Sequence, residues 1–201
     1  MIVPLVILDR DGVINHDSDD YIKSPDEWQP LPGSLEAIAR LCRADYTVIV
    51  ATNQAGVGRG IFSLDMLIRI HSKMASSIRD KGGRLDSIFF CPHSPADQCV
   101  CRKPKPGMLL ESSDRLGIGL AGVPFVGDSI GDLEAVTAAG AMPVMVQTGQ
   151  GRLTQEKLSQ GELSHTLGQM PVYEELAEFS DAVLDVHLES VLGHTDQGPN
   201  H

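Results

Sequence analysis

The sequence predicts an α/β domain built on a Rossmann-like, doubly wound parallel sheet with a minimal cap. Three observations lead there. Short apolar runs of strand length alternate with segments of helical periodicity. The runs have the length and apolar character of strands buried on both faces. Several of them end in chemically loaded residues: Asp9, Thr52, Cys91 and Asp128. Sheets of this kind bind ligands beyond the carboxyl ends of their strands.

The first run is Val3–Leu8, with Pro4 near its start, where a strand tolerates it. Residues 15–30 are polar and broken by Pro and Ser-Pro, and read as a surface loop or flap over about 13–30. Pro32-Gly33-Ser34 opens a helix that carries Leu35, Ile38, Ala39, Leu41 and Cys42 on one face. Thr47–Ala51 is the second strand. It is followed by Thr52-Asn53-Gln54 and a Gly-rich loop, Gly56-Val57-Gly58-Arg59-Gly60. Ser63 is a good N-cap for a helix over 64–80, with Leu67, Ile70, Met74 and Ile78 in register, and Gly82-Gly83 ends it.

Asp86–Phe90 is the third strand and runs into a cysteine segment. A helix over Gly107–Leu116, a strand at Pro124–Val126, a helix over Ile130–Ala139 and a strand at Pro143–Gln147 follow. Residues 148–171 are rich in Gly, Ser, Gln and Thr and are expected as loop, with one helical turn near Gln155–Leu158. Val172-Tyr173 reads as an edge strand and Glu175–Leu192 as a helix. Residues 1–192 are expected as one domain and 193–201 as a disordered tail.

Composition bounds the partners. Sixteen Lys and Arg against 27 Asp and Glu give a formal net charge of −11 over 201 residues. Nucleic acids and anionic membranes need a basic footprint, so neither is expected as a partner. The excess is unevenly placed. No Lys or Arg lies beyond Lys157, while eight acidic residues do, so residues 1–157 carry only −3. An anion site therefore belongs in the first 157 residues. No apolar stretch is long enough to span a bilayer and no signal peptide is evident at the start, so the cytoplasm is the expected compartment. The chain is expected to be a monomer. In a reducing compartment, three cysteines within eleven residues (Cys91, Cys99, Cys101) indicate a metal before a disulfide.

Leu8-Asp9-Arg10-Asp11-Gly12 places two carboxylates two residues apart where a strand becomes a loop. That pair suits a hard cation such as Mg²⁺, which prefers oxygen ligands. One carboxylate can attack phosphorus while the other moves a proton. The bland alternative is a solvated turn. Asp128, in Gly127-Asp128-Ser129-Ile130-Gly131-Asp132, can add a third oxygen, with Asp132 behind it. Thr52 and Asn53 offer donors for phosphate oxygens, and Lys103 a cation.

Taken in order, Asp9-Arg10-Asp11-Gly12, Thr52-Asn53, Lys103 and Gly127-Asp128-Ser129-x-x-Asp132 resemble the four motifs of the haloacid-dehalogenase-like phosphatases, over about residues 3–150. The resemblance implies Asp9 as nucleophile, forming an aspartyl-phosphate, and Asp11 as acid and then base. It implies Mg²⁺ on Asp9, the backbone carbonyl of Asp11, and Asp128. Thr52 and Lys103 would stabilise the phosphoryl oxygens.

Cys91-Pro92-His93 and Cys99-Val100-Cys101 supply three thiolates and an imidazole, a complete tetrahedral shell for structural Zn²⁺. Fixing Cys101 would aim Arg102 and Lys103, which follow it directly. Cys42 lies outside the cluster, on a helix face, and reads as a core thiol. The full loop, with Thr52-Asn53-Gln54-x-Gly56-x-x-Arg59-Gly60 upstream, resembles the heptose 1,7-bisphosphate phosphatases of bacterial lipopolysaccharide-core synthesis. Histidinol-phosphate phosphatases are similar in kind and provide the alternative substrate. A non-catalytic zinc-bearing binding module is a third possibility. The heptose resemblance implies that Asp17, Ser18, Asp19 and Asp20 line the sugar, that Thr52, Asn53, Gln54 and Ala55 contact substrate, and that Arg102 holds the second phosphate. Arg59 joins this set, although a solvated loop cation is the bland alternative, as a solvated acidic loop is for the three aspartates. Ser129 stands where some relatives carry Lys. His16, His71, His165, His187, His194 and His201 show no ligand spacing and receive no role.

Overall fold

In the computed structural model, residues 4–160 and 170–192 are described, the side chains of the last six excepted. Six strands form one all-parallel sheet: β1 (Leu5–Leu8), β2 (Thr47–Asn53), β3 (Ser87–Cys91), β4 (Pro124–Gly127), β5 (Met142–Val146) and β6 (Val172–Tyr173). Their order across the sheet is β3-β2-β1-β4-β5-β6. The chain therefore builds outward from β1 in one direction and then, at β4, in the other. The crevice for a ligand opens where that reversal occurs, beyond the carboxyl ends of β1 and β4.

The strands are buried on both faces because their residues feed two cores. Val6 and Leu8 of β1 join Val48 and Val50 of β2 on one face, against α1 (Ser34–Arg43), α3 (Leu64–Asp80) and α7 (Leu176–Leu192). Leu5 and Ile7 join Ile49 and Ala51 on the other, against α4 (Gly107–Leu116) and α5 (Ile130–Ala139). That two-residue alternation is what a pleated strand imposes. Register places Leu8 level with Val50 and with Val126, so Asp9 emerges beside the ends of both neighbouring strands. The backbone N–H of Asp9 donates to the Val126 carbonyl at 2.9 Å. Ser63 caps α3 as expected, its side chain accepting from the Met66 N–H. Cys42 is buried in the first core, as expected.

Three segments depart from the sequence reading. The Gly-rich stretch after β2 is a short helix, α2 (Ala55–Gly58), not an open loop. Its glycines allow close approach: the Gly58 N–H donates to the Pro92 carbonyl at 2.8 Å, and a Cβ on Gly58 would come within 2.6 Å of that oxygen. Residues 151–159, expected as loop with one turn, form a helix, α6 (Gly151–Ser159). Thr154 inside it donates its hydroxyl to the Asp128 carbonyl at 2.8 Å, so tertiary bonding overrides the weak local propensity. The flap is less of a surface loop than its composition indicates. Trp28 is fully buried and Ile22 nearly so. Trp28 Nε1 donates to Asn15 Oδ1 within the flap, and Ser34 Oγ to the Ile14 carbonyl, tying the flap to the start of α1. Val3, at the start of the first expected strand, and the expected tail at 193–201 lie outside the described residues.

Candidate active site

The crevice at the carboxyl ends is a cleft of about 430 Å³. It brings together Asp9, Asp11, Asp17, Ser18, Asp19, Thr52, Asn53, Gln54, Ala55, Arg59, Arg102, Lys103, Asp128 and Ser129. Of the residues expected there, Asp20 alone is not in the lining. The cleft also takes in Asp132, expected behind Asp128, and Arg10, Tyr21, Ile22, Gly131 and Gln150, which sequence reasoning did not place there. Arg59 lies over the Tyr21 ring, 5.9 Å from its centroid, so a flap residue orients this cation.

Lys103 is the electrostatic hub. Its buried Nζ lies 2.9 Å from Asp9 Oδ1 and 2.6 Å from Asp132 Oδ1, and donates to the Ala51 carbonyl at 2.9 Å. Burial pulls its pKa down, but Asp132 and Asp9 outweigh that pull and hold it above the ordinary lysine range. One ammonium does not balance the carboxylates around it. Burial, and then Asp132 and Asp11, push the Asp9 carboxyl up to about 7 against the opposing pull of Lys103. Burial, and then Asp132 and Asp9, push Asp128 up to about 8. Carboxylate oxygens of Asp9, Asp128 and Asp132 lie within 4.8 Å of one another. Hard oxygen donors converging with too little positive charge are a donor set that fits a divalent cation.

Local backbone explains the convergence. Gly12 sits at φ +79°, a left-handed conformation, and a Cβ there would overlap the Asp128 carboxylate. Asp128 Oδ2 accepts from the Gln150 N–H at 2.7 Å. Ser129 caps α5 in a capping box with Asp132. Its Oγ donates to Asp132 Oδ2 at 2.7 Å, which leaves Asp132 Oδ1 facing Lys103. Ser129 lines the cleft, and its hydroxyl is engaged in that cap.

Asp11 is held by three side chains. Nη2 of Arg10 donates to both its oxygens at 2.9 and 2.8 Å, and Nε to Oδ1 at 3.0 Å. Asn15 Nδ2 donates to Oδ1 at 2.8 Å and Gln54 Nε2 to Oδ2 at 3.0 Å. The same Gln54 amide nitrogen reaches Thr52 Oγ1 at 3.0 Å. The second carboxylate of the pair is thus aimed by its neighbour Arg10, by Asn15 of the flap and by Gln54 just past the end of β2. Asp17 accepts from Gln150 Nε2 at 3.3 Å across the mouth of the cleft.

The cysteine loop closes on itself as the spacing predicts. Cys91, Cys99 and Cys101 sulfurs lie 3.3 to 3.5 Å apart, and His93 Nδ1 is 3.3 Å from Cys101 and 3.6 Å from Cys91. Those separations are far too long for a disulfide. They are close to the ligand–ligand edges of about 3.8 Å in a tetrahedron with zinc–sulfur bonds of about 2.3 Å. Burial pushes the Cys91 thiol up to about 12, a cost that a bound cation would remove.

Comparison with known proteins gives the family. A family model described as HAD-hydrolase-like matches residues 100–170. The chain is 57% identical over 159 residues to a Bordetella bronchiseptica protein named D-glycero-β-D-manno-heptose-1,7-bisphosphate 7-phosphatase, covering 79% of this chain and 87% of that one. It is 50% identical over 181 residues to the Pseudomonas aeruginosa protein of the same name, covering 90% and 97%. Among solved structures, it resembles the B. bronchiseptica D,D-heptose 1,7-bisphosphate phosphatase complexed with magnesium and phosphate. The TM-score is 0.85 at 52% identity, covering 91% of this chain and 99% of that one.

Proposed function

The chain belongs to the HAD-like hydrolases, in the family of the heptose-1,7-bisphosphate 7-phosphatases, and from that premise we propose that it hydrolyses the C7 phosphate of D-glycero-D-manno-heptose 1,7-bisphosphate in an Mg²⁺-dependent reaction. The observation that carries the reading is the Asp9–Lys103–Asp132 array beside Asp128, at the point where the strand order reverses. It supplies a nucleophile, a fixed cation and a cation-binding face at one site.

Asp9 attacks phosphorus, and the bond from phosphorus to the C7 oxygen breaks with its electron pair going to that oxygen. Asp11 gives that oxygen a proton. The resulting aspartyl-phosphate is cleaved when Asp11 takes a proton from a water, which attacks phosphorus and returns Asp9 as a carboxylate. Lys103, with Thr52 Oγ1, offsets charge on the transferring phosphoryl oxygens. Asp9, Asp128 and the Asp11 carbonyl would hold Mg²⁺. When bound, it neutralises negative charge on the carboxylates and the phosphoryl group. Arg102, and Arg59 above Tyr21, face the cleft as partners for the phosphate that is not cleaved. Asp17, Ser18 and Asp19 supply groups for sugar hydroxyls. Cys91, His93, Cys99 and Cys101 hold a structural zinc that orders the loop leading into Arg102 and Lys103. The cytoplasm, where the sugar phosphate would be met, is the proposed compartment. No described helix is long and apolar enough to cross a membrane.

Phosphate release from heptose 1,7-bisphosphate and from histidinol phosphate, each with and without Mg²⁺, tests the reading. Higher kcat/KM on the heptose, dependent on Mg²⁺, is expected. Preference for histidinol phosphate would overturn the substrate, and turnover of neither would overturn the activity.

A further inference from the structure

Beside Asp11, at the wall of the cleft, the Arg10 side chain is almost fully buried at 1% exposure. An arginine can only donate hydrogen bonds, and buried donors left unpaired are costly. Nε and Nη2 of Arg10 are spent on Asp11. The remaining nitrogen, Nη1, lies 3.3 Å from Nε2 of His71 on α3. Sixty-one residues separate the two in sequence.

His71 is an unusual occupant of its position. It is buried on the face of α3 that carries Leu67, Ile70, Met74 and Ile78, where an apolar side chain would carry no polar atom to satisfy. Its ring packs edge-on to Phe90, with centroids 5.8 Å apart and planes at 65°, which sets the ring plane. Since its partner only donates, Nε2 must be the acceptor, so the ring is neutral with its proton on Nδ1. Burial, and then the Arg10 charge, push the imidazole pKa down to about 3, in keeping with that state.

We infer that His71 is a positioning residue for hydrolysis: by accepting from Arg10 Nη1 it fixes the guanidinium fork that holds the Asp11 carboxylate for proton transfer. Two corners of the fork grip Asp11 and the third is pinned to α3. Asn15 and Gln54 also bond Asp11, but they are neutral amides, and Arg10 is its charged partner. Without the third corner, Arg10 can turn about its last torsions and carry the carboxylate with it. A small displacement of an acid–base group is enough to slow the chemical step. This inference rests on the phosphatase reading above, in which Asp11 moves the protons.

The test compares wild type, His71→Phe, His71→Leu and His71→Gln in metal-replete full-length protein, by steady-state phosphate release and thermal denaturation. Phe keeps the bulk and the Phe90 contact but offers no acceptor. Leu is a second apolar variant, should Phe not fold. Gln places an amide oxygen near the Nε2 position. Expected are a fall in kcat of about tenfold to a hundredfold for the apolar variant, with KM within about twofold. Gln should restore kcat to within about threefold of wild type at a similar Tm. Unchanged kcat in a folded apolar variant would overturn the inference. So would a Gln variant as slow as Phe, or losses in kcat and KM that follow Tm alone. If wild type itself releases no phosphate, the phosphatase reading fails and the inference falls with it. Active wild type with an equally fast apolar variant sinks the inference alone.

Discussion

Asn53 and Lys103 hold each other from both sides. Oδ1 of Asn53 accepts the Lys103 backbone N–H at 3.1 Å, and Nδ2 donates to the Lys103 carbonyl at 3.0 Å. Asn53 ends β2, whereas Lys103 follows the cysteine loop, so the pair joins the sheet to the loop at the residue whose ammonium grips Asp9. Asn53→Ala removes the clamp without touching the Lys103 charge. We predict a fall in kcat/KM of about tenfold, from misplacement of Nζ. Asn53→Asp keeps an acceptor but loses the donor, and should fall between the two. Full kcat/KM in Asn53→Ala would show that the Lys103 ion pairs position it unaided.

Asp9→Asn should cut turnover by about three orders of magnitude or more, because an amide cannot form the acyl phosphate. It should not lower stability. The carboxyl is buried among like charges that already push its pKa up to about 7, and the amide oxygen can still accept from Lys103. Thermal denaturation of the metal-free proteins should therefore give a variant Tm equal to or above wild type. Trapping labelled phosphate on wild type but not on the variant checks the covalent step. A variant with wild-type turnover would refute Asp9 as nucleophile.

Much of this site was legible in the sequence because strand ends are legible. An apolar run that stops at Asp9, Thr52, Cys91 or Asp128 announces both the strand and the residue it delivers to the crevice. Ligand spacing did the same for Cys91, His93, Cys99 and Cys101. Side-chain pairs across the fold leave no such trace. His71 reads as one more polar residue on an amphipathic helix, since its partner Arg10 lies on a different element. Asp132 appears as support for Asp128, and only the folded chain shows it gripping Lys103. The full length of α6, of which the sequence predicts only a turn near Gln155–Leu158, leaves little trace for a related reason. Its residues are mostly polar, and Thr154 is drawn inward by a single bond to the Asp128 carbonyl.

Zinc should be required for placement, not for chemistry. Elemental analysis of protein purified without chelator should find about one zinc per chain. Cys101→Ser breaks the shell next to Arg102 and Lys103. We predict loss of zinc, a fall in Tm of about 5 °C or more, and a drop in kcat/KM larger than that of an exposed substitution outside the loop such as Glu134→Ala. Zinc-free protein of wild-type Tm and activity would refute a structural zinc.

The raised carboxyls make stability depend on pH in a direction opposite to that of ordinary surface carboxylates. Asp9 and Asp128 titrate near 7 and 8 when folded without metal, against about 3.9 unfolded. Between those values the folded chain holds more protons than the unfolded one, so stability falls as pH rises. The stabilising contribution is fully present below about pH 4 and is lost as pH passes through 7 to 8. A divalent cation compensates the ionised carboxylates, and should therefore stabilise most where they are ionised. Metal-free protein should lose Tm between pH 5 and pH 8. Added Mg²⁺ should raise Tm at pH 8 by about 3 °C more than at pH 5, the shift that about 1 kcal/mol produces in a chain of this size. Asp128→Asn should flatten both trends by removing one of the two titrations and one of the Mg²⁺ ligands. An equal Mg²⁺ effect at both pH values would mean that the cation does not bind at these carboxylates.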